Sequence, residues 1–415
     1  MSKTKLFGMG VIGILFAVAG CKSRDFNNAD VKDSWVKTES NNPDLFGIYG
    51  KLEYNFEVLK KMQKGAIGHQ PWSDTYWPNA EGGITSRWRF EKESEAALRF
   101  GYKSPYSAAD IEKMTPAQIN MLSPAEKFDI VSGGYRAGWP LWRREASLTT
   151  SCPAGVGVAT SQLPIRTLPG GMRSGDWEGK CHAWTPAALH FAEPGVVDVP
   201  ATKATGEKFL VHFGSSDIKA LLIVAYDMFL NQYPNYARVG NRCSRNYANL
   251  GAGSASPCFD TNAGAFFVLT TNMLQAFKPG FVIDVDPGTQ VWNQPVWKYE
   301  HKIVEGSCPV EIKSPAPHRA KLAYVETALY WVGELVPTEL PHGVNNRVEV
   351  TNYKYCLEID QSNNIIGGAW AGNMRPDFIW MTGKPDFSKP FVDSRSGVRF
   401  DMSLLMDLYA KSNPH

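Results

Sequence analysis

The densest chemistry in this chain lies in one segment, Trp177-Glu178-Gly179-Lys180-Cys181-His182-Ala183-Trp184-Thr185-Pro186-Ala187-Ala188. The cysteine stands where a long stretch rich in Gly, Pro, Ser and Thr, residues 149–176, gives way to a predicted helix. At a helix N-terminus the free amide N–H groups and the macrodipole favour thiolate over thiol, and a loop-to-helix junction leaves the sulfur within reach of a substrate. Pro186 fits the first helical position after a Thr185 cap, which would place the thiol four residues outside the helix. The opposing reading of Cys181 is a disulfide half or a small buried hydrophobe. A thiol nucleophile also needs a base, usually histidine, and a third group to orient that base. The histidines are His69, His182, His190, His212, His301, His318, His342 and His415. His182 adjoins the cysteine and cannot readily turn its ring onto it. His301 ends an alternating strand and His212 precedes a long apolar helix, and these residues alone do not choose between them.

The elements that must position these groups fall into two runs. Residues 45–63 are loosely helical. Three helix starts then follow in close order at Ser107, Thr115 and Ser123, each with an acid or amide three residues on (Asp110, Gln118, Glu126), and two of them put Pro first in the helix. Ser216 and Asp217 precede an intensely apolar helix that closes before Pro234, and a second apolar segment runs from Asn262 to Phe277. Beyond Gly280 the period changes to alternation, with strands predicted over 281–286, 291–303, 321–332, 348–360 and 365–370. Helices first and an antiparallel run later make an α+β chain.

Composition excludes other classes. In 415 residues, 43 Lys and Arg stand against 41 Asp and Glu, for a formal charge of only +2, which excludes a basic nucleic-acid binder. Apolar residues at 43% and charged residues at 20% are globular values. No cysteine pair has zinc spacing, and there is no P-loop or dinucleotide fingerprint. The sequence requires no cofactor, although Asp284-Val285-Asp286 could ligate a divalent cation such as calcium.

Residues 1–20 have the three parts of a secretory leader. The run Val18-Ala19-Gly20-Cys21 resembles the lipobox of bacterial lipoproteins, in which the cysteine is lipidated and becomes the N-terminus. Lys22 in the next position implies an outer-membrane address in a bacterial envelope. Residues 21–44 then read as a flexible tether, 45–148 as a helical subdomain, 149–382 as a catalytic core, and 383–415 as a C-terminal extension.

The segment Val291-Trp292-Asn293-Gln294-Pro295-Val296, followed by Tyr299-Glu300, closely resembles the elicitor segment of the oomycete cell-wall transglutaminases, a family that also has bacterial members. Further blocks of similarity include PWSDTYWP from Pro71, LSPAEKFDI from Leu122, WEGKCHAWTPAAL from Trp177, Phe281-Val282-Ile283-Asp284 and IIGGAW from Ile365. The resemblance implies a papain-like, transglutaminase-like α+β fold with a helical N-terminal subdomain and an antiparallel C-terminal sheet. It implies a protein-glutamine γ-glutamyltransferase: Cys181 attacks a glutamine carboxamide, ammonia leaves, and the thioester passes to a lysine amine or to water. On this reading Asp284 orients the base, His301 is the first candidate for that base, and Trp177, Trp184, Trp292 and Asn293 meet the substrate. The chain departs from the family pattern at Phe266-Phe267, where relatives carry a histidine. Two other readings of the same fold remain, a cysteine peptidase or amidase acting on peptide or cell-wall crosslinks and a catalytically impaired surface module. The partners implied are proteins or peptides offering Gln and Lys side chains, and the membrane through the N-terminal lipid, with no nucleic acid. The remaining cysteines offer Cys243 with Cys258 and Cys308 with Cys356 as bridges, and Cys152 is left over.

Overall fold

The computed structural model describes residues 40–79, 82–89, 106–150, 177–233, 236–242, 260–286, 290–312, 315–393 and 396–413. The predicted leader, Cys21, most of the tether, Cys152, Cys243 and Cys258 lie outside the described residues.

Short helices lead: α1 (Phe56–Leu59), α2 (Ala108–Ile111), α3 (Pro116–Asn120), α4 (Pro124–Val131) and α5 (Pro140–Thr150). All three expected capping boxes form, with Ser107, Thr115 and Ser123 each trading bonds with the residue three positions on. A reciprocal box satisfies two otherwise orphaned backbone donors, so it fixes where each helix starts. The helix expected over 45–63 is instead a 3-10 turn (Pro43–Tyr49) and the single turn α1. Gly50 breaks it: at φ 146° it lies outside helical space, and a Cβ there would sit 2.7 Å from the Phe277 ring.

Next come α6 (Cys181–His190), the hairpin β2 (Val197–Thr202) and β3 (Lys208–Phe213), α7 (Ser215–Gln232), β4 (Tyr236–Gly240) and α8 (Ala263–Thr271), which runs into a π turn over Asn272–Ala276. The α7 cap sits earlier than expected. Gly214 is the N-cap, and Asp217 reaches back to accept its N–H at 2.9 Å. Ser216 is drawn away to Asp74, donating to its Oδ1 at 2.8 Å.

The sheet strands are β1 (Lys64–Ala66), β4, β5 (Phe281–Asp284), β6 (Asn293–Glu305), β7 (Lys321–Val332), β8 (Val348–Ile359), β9 (Ile365–Trp370) and β10 (Phe378–Thr382). They pair antiparallel in the order β4-β10-β5-β6-β7-β8-β9, with β1 on the part of β6 that β5 leaves free. The pair β11 (Phe391–Val392) and β12 (Arg399–Phe400) and the helix α9 (Met402–Ser412) close the chain. One apolar cluster joins α4, α5, α6, α7 and α9, and a second fills the space between α8 and the sheet. Helix α6 touches both, through Cys181 in the first and Leu189 in the second. Among the described residues no helix is long and apolar enough to cross a membrane.

Cys308 and Cys356 form a disulfide, tying the turn after β6 to β8 across 48 residues of sequence. In the chain-entropy view a loop of that length gives about 4 kcal/mol against the reduced, unfolded chain. Reduction is therefore expected to lower the urea midpoint clearly, and a Cys308→Ser, Cys356→Ser variant should show the same shift without added reductant.

Candidate active site

Cys181 is the first residue of α6, not four residues ahead of it, and Pro186 lies inside the helix. The Thr185 hydroxyl caps nothing there and instead donates to the Cys181 carbonyl at 3.0 Å. The loop before the thiol is held by an N-terminal strap: Lys180 N donates to Tyr76 O at 2.6 Å, and Asn79 N donates to Glu178 O at 2.9 Å. Gly179 is required between these bonds, since a Cβ would lie 2.5 Å from the Tyr76 carbonyl oxygen.

The sulfur lies against the start of β6. Asn293 Nδ2 donates to Sγ at 3.4 Å, and the thiol donates to the Val291 carbonyl at 3.7 Å. Trp380 Nε1 donates to Asn293 Oδ1 at 2.8 Å. An indole N–H can only donate, so it fixes the amide with its NH₂ towards the sulfur. Thus the segment that carries the family resemblance supplies both contacts of the thiol.

Burial reverses the expected thiol chemistry. The side chain is 6% exposed, and burial pushes the thiol up to about 11; the bonds from Asn293 oppose this, and the charges of Glu334 and Asp284 add to it. The helix end does not win, because a desolvated sulfur loses more by giving up water than partial amide charges restore. In this closed state Cys181 is a protonated thiol.

Asp284 ends β5 and pairs directly with Asn293. Its Oδ1 accepts from Trp292 N at 2.9 Å and Asp286 N at 3.2 Å. Its Oδ2 is buried with no partner, and burial raises the carboxyl to about 7. Among the described residues no group of three or more His, Cys, Asp or Glu side chains could hold a metal ion.

His301 is not at this site. It lies eight residues along β6 from Asn293, about 26 Å at strand rise. It is buried in the second core, stacked on Phe267 at 4.8 Å, with Nδ1 on Thr327 Oγ1 at 2.8 Å and Nε2 within 3.4 Å of Thr271 Oγ1. Burial lowers its pKa to about 3, so it is a neutral core residue. His212 sits between Asp198 and Glu339, and His182 turns to Asp227 at 3.1 Å. Among the described histidines none is hydrogen-bonded to the thiol. Phe266 and Phe267 pack against the aromatic rings of Tyr353, Tyr355 and Trp370.

Of the predicted substrate contacts, Trp184 is core: it is fully buried, and its Nε1 donates to Trp72 O at 3.2 Å. Trp177 and Trp292 are half-buried, the first under the Arg242 guanidinium and the second edge-on to Tyr76 at 5.3 Å.

Residues 166–407 match the model of the family described as Transglutaminase elicitor. The chain belongs to the transglutaminase elicitor family. Its fold is similar to the crystal structure of the GP42 transglutaminase from Phytophthora sojae, with a TM-score of 0.61 and 23% identity, covering 91% of this chain and 99% of that one. No curated protein matches it. The match to the transglutaminase elicitor model runs past residue 382, into the segment read from sequence as an extension.

A charge cluster that sequence reasoning missed explains how this member of the family seats its cysteine. Lys180 Nζ meets Asp227 and Glu145, each at 3.1 Å, and Arg144 meets Asp227 at 2.8 Å, Asp393 at 3.1 Å and Glu145. All five side chains are almost fully buried. They bind α5, the cysteine loop, α7 and the C-terminal segment to one another. Its only sequence signals were Arg144-Glu145 and a lysine directly before the cysteine.

Proposed function

We propose that this protein is a protein-glutamine γ-glutamyltransferase in which Cys181 forms a thioester with a glutamine side chain and passes the acyl group to a primary amine or to water. The supporting observation is the amide of Asn293, which Trp380 orients so that its NH₂ faces the sulfur. That donor can stabilise negative charge on sulfur as the proton leaves and again when the thiolate is expelled from the thioester. With no histidine among the described residues bonded to the thiol, the proton goes to Asp284, whose unpartnered Oδ2 and raised pKa suit an acceptor near neutrality. Burial leaves the thiol, at about 11, above the carboxyl, at about 7, so this proton transfer is uphill in the resting site. The resting site is therefore closed, and it gains activity as substrate displaces what buries the sulfur.

Incubation with a glutamine-donor peptide tests this. Ammonia should appear, and an acyl adduct on Cys181 should be trapped by mass spectrometry; intact peptide with no adduct would refute it. The same protonated thiol, bonded to no histidine among the described residues, favours a second reading, a surface module without turnover, and that outcome would support it. Cleaved peptide without amine transfer would instead point to a peptidase.

Asp284 must be ionised to accept the proton, so ammonia release is expected to rise with pH through about 7. Asp284→Asn should remove that limb and lower the rate by ~10²–10⁴-fold; an unchanged pH profile would eliminate Asp284 from the step.

We further propose that Cys21 carries lipid and places the chain on the outer membrane of a bacterial envelope. Metabolic labelling with a fatty acid, lost in Cys21→Ser, is the check.

A further inference from the structure

Acyl transfer from Cys181 needs a second substrate at the same sulfur, and a subsite for that substrate has meaning only if the thioester reading holds. A lysine side chain arrives as an ammonium ion with an ordinary pKa near 10.4. It needs a negative partner, acceptors for its three N–H bonds, and a group to take a proton before nitrogen can attack.

Two carboxyls are close enough for their charge to act on the thiol, Asp284 and Glu334. Asp284 is fully buried at the end of β5 with two backbone amides on one oxygen. Glu334 differs. It stands two residues beyond the end of β7, half-buried, and Gln294 Nε2 donates to its Oε1 at 2.7 Å. Gln294 adjoins Asn293, the residue that touches the sulfur. Gln294 is only 2% exposed, yet its Oε1 is buried with no hydrogen-bond partner. An acceptor left in that state costs ~1–3 kcal/mol, and such groups in native proteins call for an explanation. The nearby cation Arg347 has its Nε turned to Glu349 at 2.7 Å. The Arg347 charge still acts on Glu334, but a carboxylate beside a buried acceptor without a donor offers acceptors to a group that brings N–H bonds.

We infer that Glu334, held by Gln294, is the acceptor-amine subsite: it binds the ε-ammonium of a lysine, or another cationic primary amine, beside the Cys181 thioester and takes one of its protons. The step balances. The ammonium gives one proton to the Glu334 carboxylate, and the neutral amine attacks the thioester carbon. The C–S bond breaks as the C–N bond forms, the second proton passes to sulfur, and the products are an amide, a Cys181 thiol and a Glu334 carboxylic acid that re-ionises to water. A cationic amine is thereby selected over water and over uncharged nucleophiles.

The test compares two nucleophiles at pH 7.5 with one glutamine donor: a cationic alkyl amine, and hydroxylamine, which is neutral there. In Glu334→Gln, kcat/KM for the alkyl amine should fall about 10- to 100-fold, chiefly through KM, while hydroxamate formation changes far less; Glu334→Asp should recover part of the loss. Gln294→Met, which removes the anchor and the unpaired oxygen, should show the same selective loss and covers the case of a poorly folded Glu334→Gln. Equal losses for both nucleophiles, or an undiminished alkyl amine rate, would overturn the inference while leaving the thioester reading standing. Absence of any Cys181-dependent ammonia release from the wild type would overturn both.

Discussion

In Cys181→Ala, amine incorporation and ammonia release should both fall to background, a loss on the order of 10⁴–10⁶-fold if the thioester route carries the reaction. The substitution removes one sulfur atom from a side chain that is 6% exposed. Filling and cavity terms for so small a change amount to about 1–2 kcal/mol, too little to unfold the protein. The Asn293 amide stays fixed by Trp380 in the variant, so the remaining site can still bind glutamine. Binding retained with turnover lost would identify the sulfur as the nucleophile. Turnover within tenfold of wild type would mean that the chemistry occurs elsewhere in the molecule.

The largest effect on stability is expected at Asp217→Ala. Asp217 is fully buried and meets Arg89 at 2.6 Å and Lys127 at 2.8 Å, takes a bond from Trp88 Nε1 at 2.9 Å, and caps α7 through Gly214 N. Burial works against its charge, but Lys127 and Arg89 hold the carboxyl well below the usual carboxylate range. Removing it strands a lysine with no exposed surface in the core. Losing one partner of a buried pair costs ~3–5 kcal/mol, because the charge left behind is uncompensated. Urea unfolding should show that loss at neutral pH. The folded pKa is depressed, so the contribution is present above about pH 4 and disappears as the pH falls further, and variant and wild type should converge there. Adding Lys127→Met should recover part of the loss; strict additivity of the two changes would show that the pair is not coupled.

Much of this architecture could be read in the residues. The capping boxes at Ser107, Thr115 and Ser123 are local, so sequence reports them fully. Strands β7, β8 and β9 alternate or are bounded by turn residues, and their predicted limits agree with the structure to within a residue. Strand β10 escaped because Phe378–Thr382 is buried on both faces and shows no alternation. Strand β1 is three residues long, and only its partner β6 makes it a strand. At the site, Cys181, Asp284 and Asn293 were singled out and stand together. His301 was misplaced for a physical reason: a histidine on an alternating strand reads the same whether it faces a cleft or a core, and here Phe267 and two threonines enclose it. Trp184 failed in the same way. The thiol's high pKa was also invisible, since one residue's helical position says nothing about what is laid over it.

The pairing of β1 with β6 sets a schedule for the chain as it is made. Lys64 stands opposite Glu300 in the ladder, and the strap at Tyr76 rests on Lys180. At ~5–20 residues per second, the partner of the strap emerges several seconds after it, and the partner of β1 later still. The aromatic N-terminal segment therefore waits for partners that lie far down the chain. Its contact with the cysteine loop needs only Lys180, whereas β1 needs β6, so the segment is fixed at both ends only once β6 has joined it.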